Sequence, residues 1–194
     1  TRFLSDAGVA EVSDYMPIAE SKDEHAIVRR VKTVRGEIRF RMVCQPRFDY
    51  ARAAHTVERT RDGVLFASSG RYPLALRLRA SVPVRVEDGA AVAEFTLRAE
   101  ESASFVLERA QPDQESPAAH PDFVAEAFKD TVNFWRRWVA RSSYRGRWRE
   151  MVNRSALTLK LLTSRQHGSI VASPTFGLPE AVGGPRNWDY RYTW

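Results

Sequence analysis

The sequence predicts a mainly β protein in which an antiparallel β-sandwich is followed by helices, and three observations support this. Apolar and polar residues alternate with period 2 in short runs up to about residue 110, as they do in half-buried antiparallel strands. Asp-Gly pairs, which favour tight reversals, separate some of these runs. Beyond Pro121 the apolar spacing changes to that of an amphipathic helix.

Five runs carry the strand prediction in chain order. They are 26–31, 37–43, 64–67, 75–79 and 92–97. Their connections contain Arg35-Gly36-Glu37, Asp62-Gly63 and Asp88-Gly89, and we expect a tight reversal at each glycine. Several short strands at this spacing are typical of a sandwich, which we place at residues 1–110.

A linker and two helices are predicted after the sheet. Residues 111–117 have turn and linker composition, and Pro121 suits the first turn of a helix. One apolar stripe consists of Val124, Phe128, Val132, Trp135 and Val139, and a second of Trp148, Val152, Ser155, Leu159 and Leu162. We expect both stripes to face a core and the second helix to end near Gly168.

The charge pattern argues against a nucleic-acid partner. The net charge is +6 and the isoelectric point is near 9.8, but arginines alternate with apolar residues, as in 76–79, which predicts a solvated sheet face. Segments 135–138 and 145–149 mix basic and aromatic residues that could stack on RNA. Helical spacing instead favours tryptophans that face a core, so a basic nucleic-acid binder stays the weakest alternative.

Cysteine and histidine usage predicts no disulfide, metal or cofactor. Cys44 is the sole cysteine and lies in a strand pattern, where a small buried side chain is expected. The four histidines have no partner at helical spacing, so the sequence predicts no metal site. We expect a cytoplasmic location, with no membrane span or export signal. Thr1 is not methionine, and we expect the natural start to lie upstream.

The most informative segment is 183–194, Gly-Gly-Pro-Arg-Asn-Trp-Asp-Tyr-Arg-Tyr-Thr-Trp. It alternates aromatic rings with polar or charged groups. A pyranose is recognised by such pairing, because its C–H faces pack on rings while its hydroxyls need polar partners. An aromatic core or interface is the alternative interpretation of the same composition.

This segment resembles the opening of the catalytic barrel in glycoside hydrolase family fifteen, which holds glucoamylases, glucodextranases and bacterial trehalases. The resemblance also includes Ser173-Pro174-Thr175 and Leu178-Pro179-Glu180. Upstream, residues 2–4, 8–9, 11–17, 28–31, 35–37 and 46–50 resemble the amino-terminal sandwich of bacterial members. The similarity therefore extends over nearly the whole chain.

The resemblance implies a sandwich at 1–110, a linker with a helix at 111–143, and the first part of a truncated (α/α)6 barrel at 144–194. Tyr190 and Trp194 match the family's aromatic residues at the first sugar subsite. Asp189 and Arg191 lie beside them as further substrate-binding candidates, although alternation along an extended segment would point them the other way from Tyr190. Both catalytic glutamates of the family would lie beyond Trp194, so no residue of this chain is predicted to be catalytic, and the chain alone should be inactive.

The implied activity is that of an inverting α-glucosidase that releases glucose from trehalose or an α-linked gluco-oligosaccharide. The α-1,4, α-1,6 and α,α-1,1 linkages stay open, since the loops that would choose among them are absent. The expected partners are that sugar and the remainder of the chain's own catalytic domain. Glu180 is a rival acid near the sugar segment, for which a structural role is favoured. A non-catalytic carbohydrate-binding or structural sandwich module is the main alternative function.

Overall fold

The computed structural model describes residues 1–18, 25–110, 116–172, 180–185 and 193. The chain divides into two compact units, Thr1–Val132 and Asn133–Trp194. In the described residues, all named strands lie in the first unit and helix α2 lies in the second.

The described elements follow the predicted order, with strands first and helices after them. The strands are β1 (Arg2–Ser5), β2 (Gly8–Tyr15), β3 (Ala26–Cys44), β4 (His55–Thr60), β5 (Gly63–Ser68), β6 (Ala75–Ala80), β7 (Arg85–Glu87), β8 (Ala90–Arg98) and β9 (Ser102–Arg109). A short 3-10 turn at Pro117–Ala119 precedes helices α1 (Phe123–Val139) and α2 (Arg149–Leu161). The first α-helix thus begins close to Pro121, as predicted.

Strand β3 joins two antiparallel layers. Its first part pairs with β2 and β9 in a layer ordered β1-β2-β3-β9-β6-β5-β4. Its second part pairs with β8, which in turn pairs with β7. Every pairing is antiparallel, as expected when neighbouring strands are joined by short turns. These layers confirm the predicted mainly β class and the sandwich followed by helices.

The reversal predicted at Gly36 is wrong, because the chain continues there as one strand. Gly36 has φ +81° and lies opposite Gly8, beside a register shift at Val9 and Ala10. A Cβ on Gly36 would stand 2.0 Å from the Ala7 carbonyl oxygen. Glycine is therefore needed for a bend that carries β3 from one layer to the other. The reversals at Asp62-Gly63 and Asp88-Gly89 are confirmed.

The core fills the space between the two layers. The first layer contributes large side chains, among them Phe66, Val64, Leu78 and Phe105, while β8 contributes Ala91, Ala93 and Leu97. Phe66 is fully buried. The alanines of β8 leave room for these rings, as close packing requires.

The opposite face of the first layer carries the start of α1. Val28 and Val106 are buried there. The Tyr15 hydroxyl donates to the Val124 carbonyl oxygen at 2.8 Å, and its ring meets Phe128 edge-on at 5.6 Å. The stripe predicted for α1 therefore packs as expected in this unit.

The prediction of a solvated sheet face at 76–79 is wrong, because the arginines of this segment lie on the same covered face. The side chains of Arg77 and Arg79 are mostly covered, and both point at Glu108, which is only 7% exposed. Arg79 Nε donates to Glu108 Oε1 at 3.1 Å, and the Ser116 hydroxyl donates to Glu108 Oε2. A buried carboxylate thus makes these arginine positions compatible with a covered face.

In the second unit, α2 ends earlier than predicted, at Leu161 and not near Gly168. Thr163 and Ile170 form an isolated antiparallel bridge, and the Ser164 N–H donates to the Ser169 carbonyl oxygen at 2.8 Å. Gly168, at φ +71°, allows the reversal between them. The chain therefore turns back immediately after the helix.

Candidate functional site

The predicted substrate-binding residues Asp189, Tyr190, Arg191 and Trp194 lie outside the described residues. Thr193, between them, is described, and it forms an antiparallel bridge with Val171. Val171 directly follows Ile170, which pairs with Thr163. The backbone at 193 thus lies beside the segment that follows α2, while the four side chains stay a prediction. Glu180, the rival acid, is exposed.

An apolar groove follows one face of α2. It has a volume of about 650 Å³ and is lined by Trp148, Met151, Val152, Ser155, Ala156 and Leu159. Trp148 is 53% exposed and Leu159 is 54% exposed. The expectation that this stripe faces a core therefore fails for Trp148 and Leu159 in the described chain, while Val152 and Leu162 of the same stripe are half-buried. The Arg147 guanidinium lies 4.5 Å from the centre of the Trp148 ring.

A second surface lies on the loops that follow β3 and β5, residues 45–54 and 69–74. We call it the tyrosine surface, and it consists of Tyr50 and Arg52 on the first loop and of Arg71 and Tyr72 on the second. Tyr50 is 88% exposed and Tyr72 is 72% exposed. Arg52 lies 5.6 Å from the centre of the Tyr50 ring, and Arg71 lies 5.4 Å from that of Tyr72. Both rings therefore stand in solvent with a cation against them.

The first of these loops contains strained backbone. Asp49, Tyr50 and Ala51 have φ values of +46°, +55° and +67°. Each left-handed residue with a Cβ costs about 1–2 kcal/mol. The turn is held by buried Phe48, whose carbonyl oxygen accepts from the Ala53 N–H at 3.2 Å. The surrounding structure thus imposes the conformation of this turn.

The two loops are joined directly. The Ser69 N–H donates to the Ala54 carbonyl oxygen at 3.2 Å. A Cβ placed on Gly70 would stand 2.7 Å from the Cβ of Ala53. The loops are therefore in close contact at residues 53–54 and 69–70, and glycine at position 70 permits that approach.

Cys44 and the histidines show no arrangement typical of catalysis. Cys44 is half-buried against the core at the end of β3. Burial raises the pKa of its thiol, although Arg29 acts in the opposite direction. A thiol with a raised pKa is a weak nucleophile. Across the described residues, no group of three His, Cys, Asp or Glu side chains is placed to hold a metal ion.

No helix in the described part of the chain is long and apolar enough to cross a bilayer. Exposed arginines of the sandwich are paired with carboxylates: Arg29 with Asp14, Arg39 with Glu94 and Arg98 with Glu37. Each pair neutralises one of the chain's positive charges locally.

The chain is similar to curated proteins, whereas no family model and no solved structure matches it. A trehalase of Thermoplasma acidophilum is 30% identical over 197 residues, which cover 100% of this chain and 33% of the relative. A trehalase of Mycolicibacterium smegmatis is 34% identical over 177 residues, 88% of this chain and 26% of the relative. A trehalase of Mycobacterium tuberculosis is 33% identical over the same shares. The chain is related to the trehalases.

This relationship confirms the resemblance to the glucoamylase and trehalase family that the sequence motifs indicated. The chain spans about a quarter to a third of the length of these trehalases. The aligned share of this chain is 88% or more in each of the three, so the similarity includes the sandwich as well as the helices.

Within this trehalase-related chain, sequence reasoning missed two features. The burial of Glu108 depends on arginines 29 and 31 positions away in sequence, which no local pattern reveals. The tyrosine surface had a partial signal, because 46–50 was part of the resemblance. Its left-handed backbone had a signal only at Asp49, since neither Tyr50 nor Ala51 favours that conformation.

Proposed function

We propose that the chain is the amino-terminal part of an inverting α-glucosidase of the trehalase and glucoamylase type. The observation that carries this proposal is the similarity to proteins named trehalase over 88–100% of the chain. Its substrate is trehalose or an α-linked gluco-oligosaccharide, from which the complete enzyme releases glucose.

The proposed organisation is a sandwich at 1–110, a linker with a helix at 111–143 and the start of an (α/α)6 barrel at 144–194. The last strand ends at Arg109, and α2 begins at Arg149, which supports the first and third parts. The compact division after Val132 falls within α1, which is compatible with a helix that joins two domains.

The proposed sugar site uses Asp189, Tyr190, Arg191 and Trp194 as one wall. Aromatic rings would pack on the C–H faces of the terminal glucose, and the charged groups would bind its hydroxyls. The family motif supports this role for Tyr190 and Trp194, and alternation along an extended segment would place those two on one face and Asp189 and Arg191 on the other. The bridge between Thr193 and Val171 gives the segment a backbone partner at one point.

The catalytic step is proposed to use two carboxyl groups that lie outside residues 1–194. In an inverting glycosidase, one protonated carboxyl donates to the leaving oxygen while a second carboxylate activates water on the opposite face. The two groups stand roughly 6.5–9.5 Å apart, which leaves room for that water. No carboxylate of this chain is assigned to either role.

The remainder of the catalytic domain is the proposed partner of the groove on α2. Exposed Trp148, Met151 and Leu159 form a continuous apolar lining, which is unfavourable in water and typical of a surface that another element covers. The chain spans 26–33% of its relatives, so the relatives contain ample sequence for such a cover.

The proposal is tested with protein expressed from the complete reading frame. Glucose release from trehalose, maltose and isomaltose identifies the activity and the linkage. Trp194→Ala and Tyr190→Phe should lower the rate while the melting temperature changes little, because both act through sugar contacts. Leu159→Ala should instead destabilise the protein by about 2–5 kcal/mol, because its side chain is then buried.

Three outcomes contradict parts of this proposal. A complete protein that hydrolyses none of the three sugars refutes the activity; if it still binds them, it is the non-catalytic carbohydrate-binding module. If Trp194→Ala unfolds the protein but spares the activity of the folded fraction, Trp194 is a core residue. If residues 1–194 alone turn over substrate at the rate of the complete enzyme, the catalytic carboxylates lie within this chain.

A further inference from the structure

The tyrosine surface has no role in the site proposed above, yet it exposes two large rings. An aromatic ring that is 88% exposed, as Tyr50 is, adds little to the core. Tyr72 is nearly as open and lies on the loop that contacts residues 53–54. Two exposed rings on loops that contact each other offer apolar faces that a sugar can cover.

The surroundings of these rings are polar. All residues of loops 45–54 and 69–74 are described, and within them Tyr50 and Tyr72 are the large hydrophobic side chains that are exposed. Their neighbours include the charged side chains of Asp49, Arg52 and Arg71. A protein interface has an apolar centre, whereas isolated rings among hydrogen-bonding groups suit a sugar, which has apolar C–H faces and hydroxyl edges.

The turn that carries Tyr50 is fixed in advance. The Arg52 N–H donates to the Asp49 carbonyl oxygen at 3.0 Å, and the Ala53 N–H donates to that of buried Phe48. These bonds close the left-handed turn and hold Tyr50 outward. A turn whose backbone is already ordered loses less entropy when it binds a ligand, and strained backbone of this kind is concentrated at functional sites.

We propose that the tyrosine surface binds an α-linked gluco-oligosaccharide. The two rings pack against sugar C–H faces, while Asp49 accepts hydroxyl hydrogen bonds and Arg52 and Arg71 donate them. The choice of an α-glucoside as the sugar rests on the proposed function, whereas the exposure of the two rings is observed independently of that proposal. Because two loops contribute one ring each, we expect binding to strengthen from maltose to maltohexaose.

The test is calorimetric titration of maltohexaose into protein expressed from the complete reading frame. All variants carry Trp194→Ala, so that the proposed sugar site contributes little to binding. Tyr50→Ala and Tyr72→Ala should each weaken binding about three- to tenfold, the worth of a ring contact. Tyr50→Phe keeps the ring and should retain most of the affinity.

Phe3→Ala is the matched control, since Phe3 is an exposed ring on β1. Strand β1 forms one edge of the first layer, and β4 forms the other. It should leave the affinity unchanged. Tyr72→Ala tests the surface even if a change at Tyr50 disturbs the strained turn. Equal affinity of the parent and both alanine variants for maltohexaose overturns the inference. So does a parent that binds no maltohexaose, including a parent whose tyrosine surface binds a protein partner instead.

Hydrolysis of trehalose, measured separately on protein with Trp194 intact, distinguishes this inference from the proposed function. Protein that binds maltohexaose through Tyr50 and Tyr72 but hydrolyses no glucoside upholds the tyrosine surface and refutes the proposed function. Protein that hydrolyses trehalose while the tyrosine variants bind maltohexaose normally does the reverse.

Discussion

Replacement of Glu108 by alanine should destabilise the sandwich strongly. The side chain of Glu108 is only 9% exposed and lies 3.1 Å from Arg79 and 3.8 Å from Arg77. It also accepts from the hydroxyl of Ser116, the residue that caps the turn at Pro117–Ala119. Its removal leaves two largely covered guanidinium groups without their carboxylate and releases this connection.

Loss of one partner from a buried ion pair costs about 3–5 kcal/mol. The side chains of Arg77 and Arg79 keep 21% and 17% exposure, so water can reach part of each, and we expect a loss near the lower end, about 3 kcal/mol. For a chain of this size that corresponds to a fall in melting temperature of about 6–12 °C. Glu108→Gln keeps the shape but removes the charge and one of the two acceptor oxygens.

Urea unfolding followed by circular dichroism gives the free energies of unfolding of Glu108→Ala and Glu108→Gln. Glu37→Ala is the matched control, because Glu37 accepts from Arg98 at 2.8 Å but its side chain is 57% exposed. An exposed pair contributes little and is screened by salt. If Glu108→Ala loses no more stability than Glu37→Ala, the buried cluster does not stabilise the fold and the reasoning is refuted.

Three further predictions follow from single sites. Gly36→Ala should destabilise the fold more than Gly89→Ala. Both glycines have positive φ, which costs about 1–2 kcal/mol, but a Cβ added at Gly36 meets the Ala7 carbonyl oxygen at 2.0 Å, whereas one added at Gly89 meets no heavy atom within 4 Å. Equal losses of free energy in urea unfolding would contradict the steric argument. Arg29 holds the pKa of Asp14 below its ordinary value by a hydrogen bond, so the stabilisation from this pair is present above the unfolded pKa of about 3.9 and is lost as pH falls through the folded pKa. Asp14→Asn should therefore lower the free energy of unfolding at neutral pH and match the parent in strong acid. A constant difference between variant and parent across the pH series would exclude this linkage. Burial raises the pKa of the Cys44 thiol, so a thiol reagent at mildly alkaline pH should react much more slowly with native chain than with chain in urea, whereas equal rates would show an open thiol.

The sequence predicts the strands well because period-2 alternation follows directly from burial of one sheet face. It fails at Gly36, since a reversal and a layer crossing both require glycine at positive φ. It also fails at Arg77 and Arg79, where the alternation is correct but burial depends on Glu108, a distant residue. For α2 the pattern predicts the helix, while exposure of Leu159 depends on what lies against it, which no local pattern contains.

The candidate sites differ in how much of them a sequence can predict. Asp189, Tyr190, Arg191 and Trp194 were assigned by alternation and family resemblance, which identify residue types but not their geometry. For the tyrosine surface the geometry is known instead, because its identifying features are the exposure of the rings and the backbone dihedral angles, which no sequence pattern contains.

Several places in the sandwich depart from local preference, and Gly36 and Glu108 have a structural reason within the described residues. Gly36 carries β3 between layers, and Glu108 joins two arginines to Ser116. The left-handed turn at 49–51 is different: its bonds hold the backbone in place, but the ring they position, Tyr50, points into solvent. Because departures from local preference are expected at functional sites, this turn is the part of the sandwich for which a ligand gives the most direct physical explanation.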